Sequence, residues 1–381
     1  MRRLVLMVSA VIFADTTLYS VVAPLLPRYV DTLGLSKSAA GMLVAAFPVG
    51  TLLASLPAGA LVAKVGARPT VYLGLALMGV SSAGFGFAQH VVLLDVARFA
   101  QGVGAACSWA GGLAWLVESV PRERRGEAIG LALGAGVCGA IAGPVVGAVA
   151  EATAPRIVFS LVVVVALGLA AWAAMTPSPP LPSLQPSRAI RRALRRPPVL
   201  AGVWLVVLPS ACAGAIGVLG PLRLDGLGFS GAAVGATFLV AAALQAAISP
   251  VIGRVVDRRG RLAPLPIGLA TTTASLCLLT VPREAVVLAA LVVATIAGIA
   301  LFWTPAMVHL SEAAERAGLH QGYAFALMNL AWAAGFIVGA AGGGVTADRF
   351  GDGVAAGLVG SATAATLLAT RHYSRRAWSP V

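Results

Sequence analysis

Gly253-Arg-Val-Val-Asp257-Arg258-Arg-Gly260 closes one long apolar run, and Gly59-Ala-Leu-Val-Ala63-Lys64-Val-Gly66 closes another 194 residues earlier. The same offset joins Gly34-Leu35-Ser36-x4-Gly41 to Gly228-Phe229-Ser230-x4-Gly235. A constant offset over separate loops marks an internal duplication, which constrains architecture more than any local motif does. Both copies lie between hydrophobic stretches long enough to cross a bilayer. The repeated unit is therefore a group of membrane helices.

Composition agrees. The chain is 59% hydrophobic and 11% charged, with a mean hydropathy of +0.92. A water-soluble fold of this length cannot hide so much apolar surface, so lipid is the solvent. A hydrocarbon layer about 30 Å thick takes about 20 apolar residues per helix. On that measure the spans fall near 4–26, 40–63, 70–89, 92–116, 126–150, 155–175, 199–221, 231–255, 262–281, 285–310, 321–346 and 353–370. The expected fold is an all-α membrane protein, with twelve transmembrane helices in two pseudo-symmetric six-helix bundles. The bundles are 1–175 and 199–381, the second ending in a short basic tail, with a Pro/Arg-rich linker over 176–198.

The net charge of +13 raises nucleic acid as a partner, and its placement rejects that reading. Of the 27 Lys and Arg residues, 20 fall at the termini and in the loops on their side. Six (Arg28, Lys37, Arg156, Arg223, Arg283 and Arg349) fall on the opposite side, and Arg98 lies within a span. This asymmetry predicts a multi-pass protein of the cell membrane with both termini cytoplasmic. Anionic lipid headgroups are the expected partner of the basic side. Met1-Arg2-Arg3 before an apolar run imitates a signal peptide. The run holds Asp15 and leads into a regular polytopic pattern, so it reads as an uncleaved first helix.

Thr176-Pro-Ser-Pro-Pro-Leu-Pro-Ser-Leu-Gln-Pro-Ser187 cannot continue a helix and makes a semi-rigid spacer. The basic stretch after it, Ala189 to Arg196, is either a short surface helix or a solvated linker. Cys107, Cys138, Cys212 and Cys277 all fall in spans without metal-ligand spacing, and read as small packing residues. No metal site or disulfide is expected.

Charge within the spans is scarce. At mid-bilayer it costs roughly 2.5–3.5 kcal/mol, so it faces a cavity or a partner. Asp15 lies about eleven residues into its helix, roughly 16 Å at 1.5 Å per residue. Arg98 lies about six residues in from the far end of the fourth span. An isolated acid tuned by a guanidinium is a candidate proton carrier. The alternative is a local pair with Asp95, three residues before Arg98. Tyr19 and Gln101 follow Asp15 and Arg98 by one turn. Trp109, Trp303 and Trp332 lie deep in their spans, unlike Trp172 and Trp204 at the interfaces. Together they either line an apolar pocket or simply pack. His309 reads as an interfacial polar residue.

Glycines repeat every fourth residue at Gly139, Gly143 and Gly147, beside Pro144, and again at Gly335, Gly339 and Gly343. A stripe without side chains lets another backbone come close. It is either a packing face or a sliding contact between the halves.

These stretches resemble the major facilitator superfamily. Gly253 to Arg261 looks like that family's loop signature between helices 8 and 9. Arg98-x-x-Gln101-Gly102-x-Gly104-Ala105-Ala106 resembles its helix 4 motif. Gly139-x-x-x-Gly143-Pro144-x-x-Gly147-Ala148 is similar to the helix 5 motif of its antiporters. Asp15 with Pro24 and Pro27 resembles helix 1 of drug:proton antiporters. The resemblance runs from Leu4 to Arg371. It implies that helices 1 and 4 line a central cavity, where Asp15 and Arg98 approach and couple protons to transport. Tyr19, Gln101, Trp109, Trp303, Asn329 and Trp332 would line the cavity. Gly59, Gly66, Gly253, Asp257, Arg258 and Gly260 would serve conformational change, with Asp257 latching onto the start of helix 5 near Gly126. Two positions depart from the pattern. Ala63 stands where the signature has an acid, and Asn329 where vesicular amine transporters carry one.

The resulting expectation is a transporter, functional as a monomer and without a cofactor. It would export a small hydrophobic or drug-like compound in exchange for protons, the coupling ion. The alternative is an importer or facilitator of a small polar metabolite. A membrane enzyme would need a His/Asp/Glu cluster at a membrane face, and a sensor would need a sizeable soluble domain. The sequence shows neither.

Overall fold

The computed structural model describes residues 2–121, 124–177, 192–259, 263–319 and 321–377. Among them, twelve membrane helices follow one another: α1 (Arg2–Leu33), α2 (Lys37–Val65), α3 (Ala67–Gly86), α4 (Val91–Ser119), α5 (Arg125–Ala152) and α6 (Pro155–Ala174). The second set is α7 (Pro197–Gly226), α8 (Gly231–Arg259), α9 (Leu265–Cys277), α10 (Ala285–Arg316), α11 (321–350) and α12 (Asp352–Ala377). Ten of the described helices are long and apolar enough to cross a membrane. α3 and α9 fall outside that group.

Most helices outrun their expected spans, and α9 falls short of its own. It has 13 residues, against an expected span of 262–281. After Cys277 the chain tightens into three-residue turns, with the Leu279 N–H on the Leu276 carbonyl and the Val281 N–H on the Leu278 carbonyl, before Pro282. α1 is longer than expected and broken. Helix runs Arg2–Ser20, breaks at Val21, and resumes over Val22–Leu33. Pro24 has no N–H for the Ser20 carbonyl and its ring crowds that oxygen. The hydroxyls of Thr16, Thr17 and Ser20 fold back onto the carbonyls four residues earlier, a habit that bends helices. Gly34 then ends α1 with φ +63° and an N–H bonded to the Val30 carbonyl. That left-handed cap suits glycine alone among common residues. α11 is interrupted by a π-helical turn over Val338–Gly342, between Gln321–Ile337 and Gly343–Phe350.

The duplication read from the loops is also present in the packing. α1 packs on α4 and α5, and α3 on α4 and α6; correspondingly, α7 packs on α10 and α11, and α9 on α10 and α12. The chain divides into two compact units. The first comprises Met1–Leu35, Met42–Pro186 and Gly231–Leu239; the second comprises Ser36–Gly41, Ser187–Ser230 and Val240–Val381. Each unit thus takes in the first turns of one helix from the other half of the sequence. Of the linker expected over 176–198, residues 178–191 lie outside the described ones.

The glycine stripes are packing faces inside each unit. A Cβ on Gly139, Gly143 or Gly147 would collide with Phe13, Ser20 or Val21 of α1. One on Gly335 or Gly339 would collide with the carbonyls of Val207 or Ala211 on α7. Helices in lipid gain nothing from hiding apolar surface from one another, so close van der Waals approach holds them together. The outer helix faces carry the apolar residues that meet lipid, among them Val80, Val286 and Leu368. Cys107 and Cys212 are buried, as packing residues should be. Cys138 and Cys277 are exposed, so the expectation that all four pack inside fails for two. A helix span is half lipid-facing, and a small thiol is tolerated on either face.

Candidate functional site

In the first unit, Asp15 and Arg98 are both buried, at 3% and 1% exposure, yet no hydrogen bond or ion pair joins them. Arg98, on α4, turns its guanidinium to the last turn of α1 before the break. Nη1 donates to the Leu18 carbonyl at 2.8 Å and to Gln101 Oε1 at 2.9 Å. Nη2 donates to the Tyr19 carbonyl at 3.2 Å. Gln101 Nε2 passes the chain of bonds on to Ser82 Oγ of α3 at 3.1 Å. The Phe47 ring of α2 covers the cation at 4.9 Å, a favourable quadrupole contact. The Tyr19 ring lies against the same Phe47, 5.5 Å between centroids. Three helices thus meet at one guanidinium, and Gln101 carries the network to a fourth. Asp95 makes no ion pair with Arg98, so the local-pair alternative is not what the structure shows.

Asp15 stands apart from this network. Ser108 of α4 lies beside its carboxyl group, and Oδ2 has no hydrogen-bond partner. A buried carboxylate oxygen without a donor is costly, and such groups are rare without a purpose. Among the described charged residues, Asp15 is the acid most deeply enclosed. Trp109, also on α4, is half-buried and reaches α5, its ring 3.7 Å from where a Cβ on Gly136 would stand.

The remaining candidates belong to the second unit. Trp303 on α10 and Trp332 on α11 both border the apolar cluster of Val206, Phe302, Leu310 and Met328. Trp332 also stacks tilted on Phe336 at 5.9 Å. Asn329 is half-buried on α11. Interfacial Trp204 donates its Nε1 to Thr366 of α12 at 3.1 Å.

Of the loop signatures, the first is fully described. Gly66 has φ +95° between α2 and α3, a conformation that a side chain would strain. Gly59 has open space around it. In the second, Arg254 and Arg258 are exposed near the end of α8 and Val255 is half-buried, and the surroundings of Gly253, Asp257 and Gly260 lie outside the described ones. The contact expected between Asp257 and the start of α5 lies outside them.

One pair escaped sequence reasoning. Trp115, wholly buried, donates Nε1 to the Pro177 carbonyl at 2.9 Å. Arg68 lies 5.7 Å over the same ring and donates to the Thr176 carbonyl. The start of the linker is thereby fixed to the first unit. The signal was available in part, since a tryptophan so near a helix end needs a partner for its N–H.

Fold and site together define a multi-pass, all-helical membrane protein built from a duplicated set of six helices. The Major Facilitator Superfamily model matches residues 8–340 and 214–377. The chain belongs to the Major Facilitator Superfamily, a family of transporters rather than enzymes. It is 30% identical over 129 residues to the uncharacterized MFS-type transporter C18.02 of Schizosaccharomyces pombe, a match covering 32% of this chain and 29% of that protein. It is 27% identical over 109 residues to Multidrug resistance protein 2 of Bacillus subtilis, covering 29% of this chain and 27% of that protein. These matches thus span less than a third of either relative. The crystal structure of a D-xylose-proton symporter superposes with a TM-score of 0.75 over 96% of this chain and 95% of that one, at 18% identity. That likeness is one of fold.

Proposed function

We propose that this protein is a proton-coupled secondary transporter that exports a small, partly hydrophobic compound by alternating access, with its termini in the cytoplasm. The observation that carries the reading is Asp15, an enclosed acid near mid-membrane with an unpartnered oxygen, on a helix broken six residues later. A carboxyl group so placed can take a proton from one side and release it to the other when its surroundings change. Arg98 serves the same task indirectly, by holding the broken segment of α1 in place. Tyr19, Gln101, Trp109, Trp303, Asn329 and Trp332 supply the few polar and aromatic handles offered to substrate. The drug-resistance relative supports the export reading for the segment it shares. Protons are the coupling ion, and anionic lipids neutralise the basic cytoplasmic loops. The protein works as a monomer.

A second reading, import of a small polar metabolite, is favoured by one residue. Asn329 offers an amide rather than a charge, which suits a neutral hydrogen-bonding solute better than an organic cation. Proteoliposomes loaded with a pH-sensitive dye decide between the two. An imposed proton gradient should drive ethidium against its own gradient, with protons moving the opposite way. Xylose uptake accompanied by proton entry would favour the second reading.

A further inference from the structure

The chain carries a third stretch of the repeated kind, Gly344-Val-Thr-Ala-Asp348-Arg349-Phe-Gly351, at the helix ends opposite the first two. Its backbone agrees with theirs. Gly351 has φ 90° and ψ 160° between α11 and α12, as Gly66 has φ 95° and ψ 170° between α2 and α3. At the matching end of α5 stands Gly147-Ala-Val-Ala-Glu151.

The two acids occupy equivalent places, one in each unit. In the second unit, Asp348 Oδ2 accepts from Ser38 Oγ at 2.7 Å. The Ser36 hydroxyl and the N–H groups of Lys37 and Ser38 also face its carboxyl group. An acid there satisfies orphan donors at the start of α2 and meets its partial positive charge. One turn on, a Cβ added to Gly344 would lie 3.0 Å from the Cα of Gly41, so the two backbones touch. Lys37 adds an ion pair to Asp352 at 2.5 Å, shared with Arg223 at 3.1 Å. In the first unit, a Cβ on Gly231 would meet the Glu151 carboxyl carbon at 2.7 Å. The Glu151 side chain therefore lies on the first residue of α8. One turn on, a Cβ on Gly235 would meet Ala148 at 3.0 Å and Pro144 at 3.1 Å.

The receiving segments are Gly34-Leu35-Ser36-x4-Gly41 and Gly228-Phe229-Ser230-x4-Gly235, the very repeat whose purpose the transport site leaves unexplained. We propose that Asp348 and Glu151 are paired latches, each gripping the first turn of a helix from the other half of the sequence, that hold the non-cytoplasmic mouth shut. Opening that mouth must break both. Facing the cytoplasm, Ala63 leaves Asp257 without its counterpart, so the resting chain favours the state open to the cytoplasm. The inference rests on alternating access as proposed above, and on neither protons nor substrate.

Distances between spin labels test it without any transport assay. On a background carrying Cys138→Ala and Cys277→Ala, the full chain in liposomes is labelled in two pairs. Positions Thr32 and Glu284 report the non-cytoplasmic ends, and Lys64 and Arg316 the cytoplasmic ends. Asp348→Asn should raise the long-distance population of the first pair several-fold and shorten the second. Adding Glu151→Gln should extend both changes. Should the double variant not fold, Ser38→Ala, which removes one donor to Asp348, should move both pairs in the same directions by less. Unchanged distances at both pairs in folded Asp348→Asn and Ser38→Ala would overturn the latches, whether or not the chain exports anything.

Discussion

Arg98 donates to the main-chain carbonyl of Leu18 at 2.8 Å, so its charge is spent on the backbone of α1 and not on Asp15. The two residues that looked like one proton-handling pair divide the labour. Arg98 braces the end of the first helical segment, and Asp15 keeps an oxygen without a donor.

The brace requires a planar fork. One guanidinium serves the Leu18 and Tyr19 carbonyls and Gln101 at once, which a single ammonium cannot match. Leaving a buried acceptor unsatisfied costs about 1–3 kcal/mol. Arg98→Lys should therefore lower the thermal unfolding temperature in detergent nearly as much as Arg98→Ala. A wild-type melting curve for Arg98→Lys would show that charge alone suffices.

The stripe on α5 predicts a contrast between glycines on one helix. Gly143→Ala drives a methyl group into Ser20 and the Thr17 carbonyl, and should cost about 1–3 kcal/mol by overpacking. Gly134 has nothing within 4 Å. Gly134→Ala should be neutral or stabilise by up to about 1 kcal/mol through helix propensity. Detergent melts of the two variants compare them directly, and equal effects would contradict the packing assignment.

Trp115 and Arg68 hold the start of the linker. Trp115→Phe keeps the ring and removes the N–H that Pro177 accepts. Trypsin cleavage between the halves should become several-fold faster, while the rest of the chain stays protected. Cleavage at the wild-type rate would mean that the indole bond fixes nothing.

The duplication, the helix count and the isolation of Asp15 were legible because they depend on hydropathy, spacing and rarity, all of which a linear chain displays. Side-chain direction was not. The family resemblance implied that Arg98 approaches Asp15 but could not say that its fork would turn to carbonyls beside a proline break. The glycine stripes were plain, whereas the surface they meet, α1 or α7, is a tertiary fact. The short α9 was not legible because the apolar run continues through Leu278, Leu279 and Val281, past the end of the helix at Cys277. The third copy of the repeated loop was visible at Gly344. Unlike the first two, this copy stands on the side that carries only six of the cations, where basic charge does not mark it.

In the proposed transport cycle, Asp15 carries the coupling proton. Asp15→Asn keeps the size of the side chain and removes its titration. Proteoliposomes with an internal pH-sensitive dye measure proton movement coupled to ethidium transport under an imposed pH gradient. The variant should melt like the wild type and still exchange ethidium without a gradient, yet lose gradient-driven accumulation and the accompanying proton flux. Accumulation and proton flux at wild-type rates in Asp15→Asn would mean that the coupling proton travels elsewhere.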